Sequence, residues 1–307
     1  MPNKKNRLFE GWEVRKLTMA ASRSLLVSAV FLLSFLSSAW GQSSLWVSHF
    51  QGKTLYLMGS IHVLQESHYP LPEVMEEAFK KSDLVVFEID QEEMESAESQ
   101  QLVRKKGFYK GEDTLERHIS PATFQALKVH LNNLQLPISL FQRMTPANCA
   151  LVLTMMEFQR LGYEARFGLD HYFSSKASRK GKKKGALETA EFQINLFFDL
   201  TAEDQDMFLN QTLLELNSFA REAGQMDKAW QKGDSEQLHK LLSASFEQFP
   251  DLYQNLIVKR NRNWLPQIEN FLQQNQTVLV IVGAGHLVGP QSLLRMLGEK
   301  GYSFSQL

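Results

Sequence analysis

The 307-residue chain has an ordinary globular composition, with 43% hydrophobic and 22% charged residues, and this excludes a wholly disordered, fibrous or coiled-coil protein. Its formal net charge of −1 gives no field that would draw it onto nucleic acid, so no nucleic-acid partner is expected. The single cysteine, Cys149, excludes an intramolecular disulfide and a cysteine-rich zinc site. Any metal ion must therefore be held by histidine and carboxylate side chains.

Residues 1–41 predict an export signal. Arg23 precedes a 12-residue apolar stretch, and Ala39-Trp40-Gly41 follows it with small residues at its two outer positions. The apolar stretch is shorter than the roughly 20 residues that span a bilayer, which disfavours the alternative of an uncleaved anchor. We expect cleavage after Gly41, with a start at Met19 giving a signal of ordinary length. The mature protein is then exported to the periplasm or secreted, without a stable membrane span.

Residues 42–307 predict a single α/β domain with a mixed central sheet built from both ends of the chain. Stretches 44–50 and 54–58 read as a hairpin. Residues 84–90 and 277–282 are continuously apolar, which is typical of strands buried on both faces of a parallel sheet. A helix to about Ser82 separates the hairpin from the next strand.

The middle of the chain, about 100–275, predicts a large helical insertion. Capping residues and periodicity favour helices over 120–134, 146–161 and 201–222, another from Asp234, and at least one within 250–275. The chain then ends in a strand, a helix over 290–300 and an edge strand at 302–304. The basic run 176–184 predicts a solvated loop before a short strand at 186–187, favoured over a contact with an anionic surface.

Two predicted strands end in the same pattern, Gly-x-x-His, at Gly59 to His62 and at Gly283 to His286. Glycine allows the backbone to leave a strand sharply without a Cβ clash, and ligands collect at the carboxyl ends of strands in open α/β sheets. Glu88 follows a third strand. Two imidazoles and one carboxylate would form a metal site open to water and substrate. One such histidine alone is more often a surface or core residue.

Seven short blocks in order extend this pattern along nearly the whole of residues 44–306. They are Gly59-Ser60-Ile61-His62, Tyr69-Pro70-Leu71-Pro72, Phe87-Glu88-Ile89-Asp90, Phe167-Gly168-Leu169-Asp170, Leu187-Glu188-Thr189, Arg260-Asn261, and Val282 to Gly289. Together they resemble the TraB/GumN family, which includes YbaP-like bacterial proteins, PrgY pheromone-shutdown proteins and the animal Tiki metalloproteases. The resemblance implies a metal-dependent hydrolase fold related to the erythromycin-esterase (EreA) and ChaN groups.

Carried onto this chain, the resemblance makes His62, Glu88 and His286 candidate ligands of a divalent ion such as Mn, Co or Zn. Glu88 would be either a ligand or the general base. Arg260 would stabilise an oxyanion or bind a substrate carboxylate, or else form an ion pair that holds the insertion to the sheet.

The remaining motif residues would surround this centre. Asp170 and Glu188 would complete the metal shell or orient a histidine, with helix capping equally open for Asp170. Asn261 is assigned to the same surroundings.

Two functions of different classes follow from the sequence. The first is an exported metal-dependent hydrolase, a peptidase, acting on a peptide or small-molecule substrate through metal-bound hydroxide. The alternative is a non-catalytic protein that captures a peptide or a porphyrin in the same cleft. The sequence predicts no oligomeric state.

Overall fold

A mixed sheet forms the centre of the computed structural model, which describes residues 42–307 except Gln248 and Asn275. The strands are β1 (Leu45–Phe50), β2 (Lys53–Ser60), β3 (Leu84–Phe87), β4 (Lys183–Ala186), β5 (Val278–Gly283) and β6 (Ser305–Gln306), in the spatial order β4-β3-β5-β2-β1-β6. This confirms the predicted α/β fold, with its sheet drawn from both ends of the chain. The predicted signal peptide, residues 1–41, lies outside the described residues.

The register of the parallel strands brings their carboxyl ends to one edge. Strands β2 and β5 pair in parallel, with Ser60 opposite Gly283. Strand β3 pairs in parallel with β5 and β4, placing Phe87 opposite Ile281 and Ala186. Four neighbouring strands therefore end together, which is where functional groups collect in open α/β sheets.

The helices that connect and cover these strands begin and end close to several of the predicted bounds. They are α1 (Glu73–Lys81), α2 (Gln91–Met94), α3 (Ala97–Gly107), α4 (Pro121–Asn133), α5 (Pro146–Arg160), α6 (Leu169–Lys180), α7 (Ala190–Phe198), α8 (Ala202–Glu215), α9 (Phe219–Gln231), α10 (Ser235–Ser245), α11 (Pro250–Tyr253), α12 (Lys259–Gln273) and α13 (Leu293–Glu299). A short π-helical stretch, Gln254–Val258, joins α11 to α12.

Both faces of the sheet are buried, because the central strands carry apolar side chains without alternation. On β5, Leu279 and Ile281 pack with α1, α6, α9 and α10, while Val280 and Val282 pack with α12 and α13. A separate core joins α4, α5 and α8. Helices from the middle of the chain therefore both cover the sheet and form a second apolar cluster beside it.

The helix predicted over 201–222 is wrong as a single element. Helix α8 ends at Glu215 and α9 starts at Phe219. The side chains of Asn217 and Ser218 donate to the carbonyl oxygens of Leu214 and Glu215, at 3.2 and 3.3 Å. Asparagine and serine compete in this way for helical carbonyls and so favour a break over continuation.

The loop predicted over the basic run 176–184 is also wrong. Helix α6 extends to Lys180, Gly181 closes it with a φ of 62°, and β4 begins at Lys183. Lys182 donates to the carbonyl of Ser82 at 2.5 Å. The run therefore ties a helix and an edge strand to the sheet.

The two ends of the described chain meet on the outer side of β1. Strand β6 pairs with β1 at residues 305–306. The predicted edge strand, 302–304, is therefore wrong by two to three residues. The backbone N–H of Ser43 donates to the carbonyl of Leu307 at 2.6 Å. The last helix also starts later than predicted, at Leu293, because the side chain of Ser292 caps it.

Trp230 connects the helical part of the chain to the sheet. Its indole N–H donates to the carbonyl of Gly59 at 2.8 Å, and its own carbonyl accepts from the Ser44 hydroxyl at 3.2 Å. Trp230 is 3% exposed, so these bonds are made away from water.

Within the described ranges, no helix is both long and apolar enough to cross a lipid bilayer.

Replacing Trp230 with Phe should lower the free energy of unfolding by about 1–3 kcal/mol beyond the loss of packing, because the Gly59 carbonyl would stay buried without its donor. Urea unfolding measures the change. The matched control is Trp46→Phe, at a buried tryptophan whose indole donates to no described protein group. Equal losses in the two variants would contradict this role for the Trp230 indole.

Candidate functional site

His62 leaves the end of β2 and is fixed by Asp170 from helix α6. Its Nδ1 lies 2.8 Å from Asp170 Oδ2, and Ser60 donates to Oδ1 of the same carboxylate at 3.1 Å. The His62 side chain is 65% exposed, whereas that of Asp170 is 7% exposed. The Asp170 carboxylate raises the pKa of His62 above its usual value. With Nδ1–H donated to Asp170, the other ring nitrogen, Nε2, is presented to solvent.

His286 follows β5 and is buried. Its Nδ1 donates to Asn261 Oδ1 at 2.7 Å, and its Nε2 accepts from Arg260 Nη1 at 3.2 Å. Burial lowers the pKa of His286 to about 3, and the Arg260 guanidinium acts in the same direction. This imidazole is therefore neutral at physiological pH, with the Nδ1–H tautomer selected by Asn261.

Glu88 lies just beyond the end of β3, because the strand stops at Phe87 rather than extending to Asp90 as predicted. Its Oε1 accepts from the backbone N–H of Gly283 at 2.6 Å, and its Oε2 accepts from Arg260 Nη2 at 2.5 Å. Burial alone would raise the pKa of Glu88, but Arg260, the two histidines and the Gly283 N–H together hold it below its usual range. Glu88 is therefore an ionised carboxylate.

Arg260, on helix α12, joins two buried carboxylates. Its Nε donates to Glu188 Oε1 at 2.8 Å and its Nη2 to both Glu188 and Glu88, while Nη1 also reaches the Leu256 carbonyl at 3.0 Å. All three guanidinium nitrogens thus donate to groups of the protein itself. The contacts match an ion pair that holds helix and sheet together, one of the two roles expected for Arg260.

Gly283 lies where the three candidate ligands converge. A Cβ placed there would lie 3.3 Å from Glu88 Oε1, 3.6 Å from His286 Cδ2 and 3.7 Å from His62 Nε2. Gly59, the other motif glycine, packs against Ala284, 3.1 Å from its own Cβ position. Both glycines therefore serve close approach, and neither has a positive φ.

The candidate ligands are suited to a metal ion in type. Each imidazole has its Nδ1–H held by an oxygen of Asp170 or Asn261, the usual state of a metal-ligating histidine. As arranged among the described residues, however, no group of three or more His, Cys, Asp or Glu side chains is close enough to hold an ion. Arg260 lies against Glu88 and His286, so an ion bound to both would displace that contact.

Two contributors to the site, Gln193 and Trp264, carry no signal of their own in the sequence, and the motif block that contains Gly168 does not reveal the contact this glycine makes. Gln193 donates to both Glu88 and Glu188, at 3.0 and 2.9 Å. Trp264 donates to Glu188 at 3.0 Å and contacts His286 in a tilted arrangement, with ring centroids 4.4 Å apart. Gly168 lets the start of α6 pass against the His62 carbonyl, which a Cβ would strike. Both Gln193 and Trp264 occur at helical positions where periodicity indicates only packing.

Four parallel strands thus bring one side chain each to a common edge, in the order Glu188, Glu88, His286 and His62 across the sheet. This fold and site define an α/β protein with paired histidines at its strand ends. The chain belongs to the TraB/PrgY/gumN family, whose model matches residues 44–306. The family prediction is therefore confirmed.

The relatives include one uncharacterized bacterial protein and two animal proteins named as metalloproteases. The uncharacterized protein YbaP of Escherichia coli is 27% identical over 242 residues, covering 79% of this chain and 87% of that protein. Metalloprotease TIKI2 of Danio rerio is 26% identical over 80% of this chain, which spans 57% of TIKI2. Metalloprotease TIKI1 of the same fish is 25% identical, and the chain spans 60% of it. No solved structure matches.

Replacing Asp170 with Asn should lower the pKa of His62 toward about 6.5, because the carboxylate that stabilises the imidazolium is lost. Histidine ring signals followed by NMR over a pH titration measure it. The raised pKa means that the His62–Asp170 pair contributes stability that is fully present just below about pH 6.5, the pKa of an unfolded histidine, and that is lost as pH rises through the His62 pKa. An unchanged titration in the variant would remove Asp170 as the cause.

Replacing Gly168 with Ala should lower the free energy of unfolding by roughly 1–3 kcal/mol or more, as overpacking of a core does, since its Cβ would meet backbone rather than a flexible side chain. Gly298→Ala is the control, because no atom outside its own stretch of helix lies within 4 Å of its Cβ position. Thermal unfolding compares the two. If Gly168→Ala is as stable as the control, the close approach of α6 to His62 is not a constraint.

Proposed function

We propose that this protein is a hydrolase that cleaves a peptide or ester bond at the cluster of His62, Glu88 and His286, with the participation of a divalent ion. The observation that carries the proposal is the His62 imidazole, exposed to solvent and oriented by Asp170, beside an ionised Glu88 and a second oriented imidazole. The named metalloprotease activity of the TIKI relatives supports a peptide as the substrate.

His62, Glu88 and His286 would hold the ion, whether Mn, Co or Zn. When bound, such an ion lowers the pKa of a water molecule so that hydroxide is available at neutral pH. The charges favour it, because the one guanidinium of Arg260 faces the two carboxylates of Glu88 and Glu188 and leaves excess negative charge in a buried region.

The residues of the chain divide the remaining work. Asp170 holds His62 with Nε2 toward the pocket, and Asn261 fixes the ring of buried His286, whose Nε2 faces Arg260. Since the Gly283 N–H and Arg260 keep Glu88 ionised, Glu88 is better suited to carry charge as a ligand than to accept a proton as a general base. Arg260 acts as a positioning residue for both carboxylates.

The pocket in front of these groups limits what can reach them. It has a volume of about 410 Å³ and is lined by His62, Glu88, Asp170 and Gln193 together with Ile89 and Arg166. This is room for one or two side chains rather than a folded protein, which favours a peptide or small-molecule substrate over nucleic acid. The predicted export signal would place the reaction in the periplasm or outside the cell.

Metal analysis and turnover test the proposal together. The wild-type chain, after exposure to Mn, Co or Zn, should retain about one ion and cleave a fluorogenic peptide or ester library. His62→Ala should lose turnover by about 100-fold or more and weaken metal retention. His49→Ala is the matched control, because His49 is an exposed histidine on β1, at the opposite side of the sheet order from β3.

Absence of both metal uptake and turnover sensitive to His62→Ala would overturn the proposal. His286 is buried, so His286→Gln replaces an alanine variant, and its folding is checked by circular dichroism before its metal content is interpreted.

A second function, capture of a peptide or porphyrin without cleavage, is favoured by one observation. Arg260 already donates hydrogen bonds to Glu88 and His286, so these side chains have polar partners without an ion. Under this alternative, a peptide incubated with the protein and metal is recovered intact in stoichiometric amount. Under hydrolysis, the same peptide is recovered as fragments.

A further inference from the structure

A second and larger cleft, with a volume of about 940 Å³, lies next to the His62 segment. Ile61, Val63 and Leu64 line it, and His62 between them lines the smaller pocket. Its other walls come from α5, α8, α9 and α10 of the helical part of the chain and from Tyr163, which follows α5. A chain bound in this cleft would therefore run beside the histidine on which the proposed function depends.

The cleft presents apolar surface to solvent. Leu214 lines it with 57% of its surface exposed, and several other large apolar side chains of the lining are only partly buried. Phe158, Phe219, Met226 and Leu241 also line it. Concave apolar surface of this size with a few polar groups is typical of a ligand site.

Carboxylates outnumber cations in the lining. Glu215, Glu222 and Asp227 line the cleft beside one basic side chain, Arg221. Asp227 is already bonded to the His68 ring at 2.6 Å. Arg221 is 71% exposed and lies 3.6 Å from its neighbour Glu222, which makes a weak surface pair. Glu215 has no basic partner among the described contacts.

Two features of its surroundings favour a cation beside Glu215: the carbonyl end of a helix and a second carboxylate. It is the last residue of α8, and the last turn of that helix has no basic residue, so its carbonyl ends and the carboxylate add their negative charge. Burial raises the pKa of Glu215, and the Glu222 carboxylate adds to this effect. A positive group between Glu215 and Glu222 would offset both the negative helix end and the repulsion between the two carboxylates.

We propose that the 940 Å³ cleft is a substrate subsite for a peptide segment in which a lysine or arginine adjoins apolar residues, the apolar side chains packing on Leu214 and Phe219 and the cation facing Glu215 and Glu222. The inference rests on the proposed function, because a bound peptide is a substrate only if the protein is a hydrolase. It commits the site to cationic, amphipathic peptides rather than to acidic ones.

Peptide binding tests the cleft separately from catalysis. The probes are three fluorescein-labelled heptapeptides with the same Leu and Phe positions and two Lys, two Gln or two Glu. Fluorescence anisotropy follows their binding to the full chain carrying His62→Ala, which spares the probe from cleavage. We expect affinity to fall in the order Lys, Gln, Glu, and the preference for Lys to weaken at high salt.

Two variants locate the effect. Glu215→Gln with Glu222→Gln should weaken binding of the Lys peptide by about fivefold and leave the Gln peptide unchanged. Leu214→Ala should weaken all three peptides. The control is Glu203→Gln with Glu236→Gln, a pair of exposed glutamates outside the cleft lining, which should change nothing.

Equal affinity for the Lys and Glu peptides, or no binding of any peptide, would overturn the inference. The two proposals fail in different ways. Charge-dependent binding without turnover by the wild-type chain would support the peptide site in the cleft and contradict the hydrolase proposal. Turnover without preference for Lys near apolar residues keeps the hydrolase and removes the cleft.

Discussion

The buried contact of Arg260 with Glu88 and Glu188 is the interaction on which the rest of the site depends. It joins helix α12 to the ends of β3 and β4, and its members are each 8% exposed or less at their side chains. Buried charges of this kind are costly when one partner is missing, by roughly 3–5 kcal/mol, so the network fixes the positions of all three groups. His286 depends on it as well, because Arg260 is the donor to its Nε2.

The strand ends were the part of the site that the sequence could predict. Gly-x-x-His after an apolar strand carries information because the strand, the glycine and the histidine are consecutive, and the parallel pairing of β2 with β5 brings His62 and His286 to the same edge. Glu88 was predicted on the same grounds. The resemblance to the family supported Asp170, Glu188, Arg260 and Asn261 as candidates around the centre, but it gives an order of motifs and no contacts, so their relative positions are known only from the structure.

The remaining features depend on tertiary contacts that no local pattern reveals. Gln193 reads as one polar residue on a helix, yet it bridges two carboxylates from neighbouring strands. The break between α8 and α9 arises from side chains of Asn217 and Ser218 that bond backward, which a capping rule for helix starts does not detect. That break turns Glu215 into a helix end and so creates the charged side of the larger cleft.

The meeting of Ser43 and Leu307 beside β1 has a consequence for engineering the domain of residues 43–307. Because Ser43 and Leu307 are joined by a backbone hydrogen bond, a linker of a few residues would connect them without crossing the fold. New ends opened at the exposed turn around Gly111 would then give a circular permutant in which the four parallel strand ends keep their order. Such a rearranged chain would offer attachment points at this turn for immobilisation or fluorescent labelling.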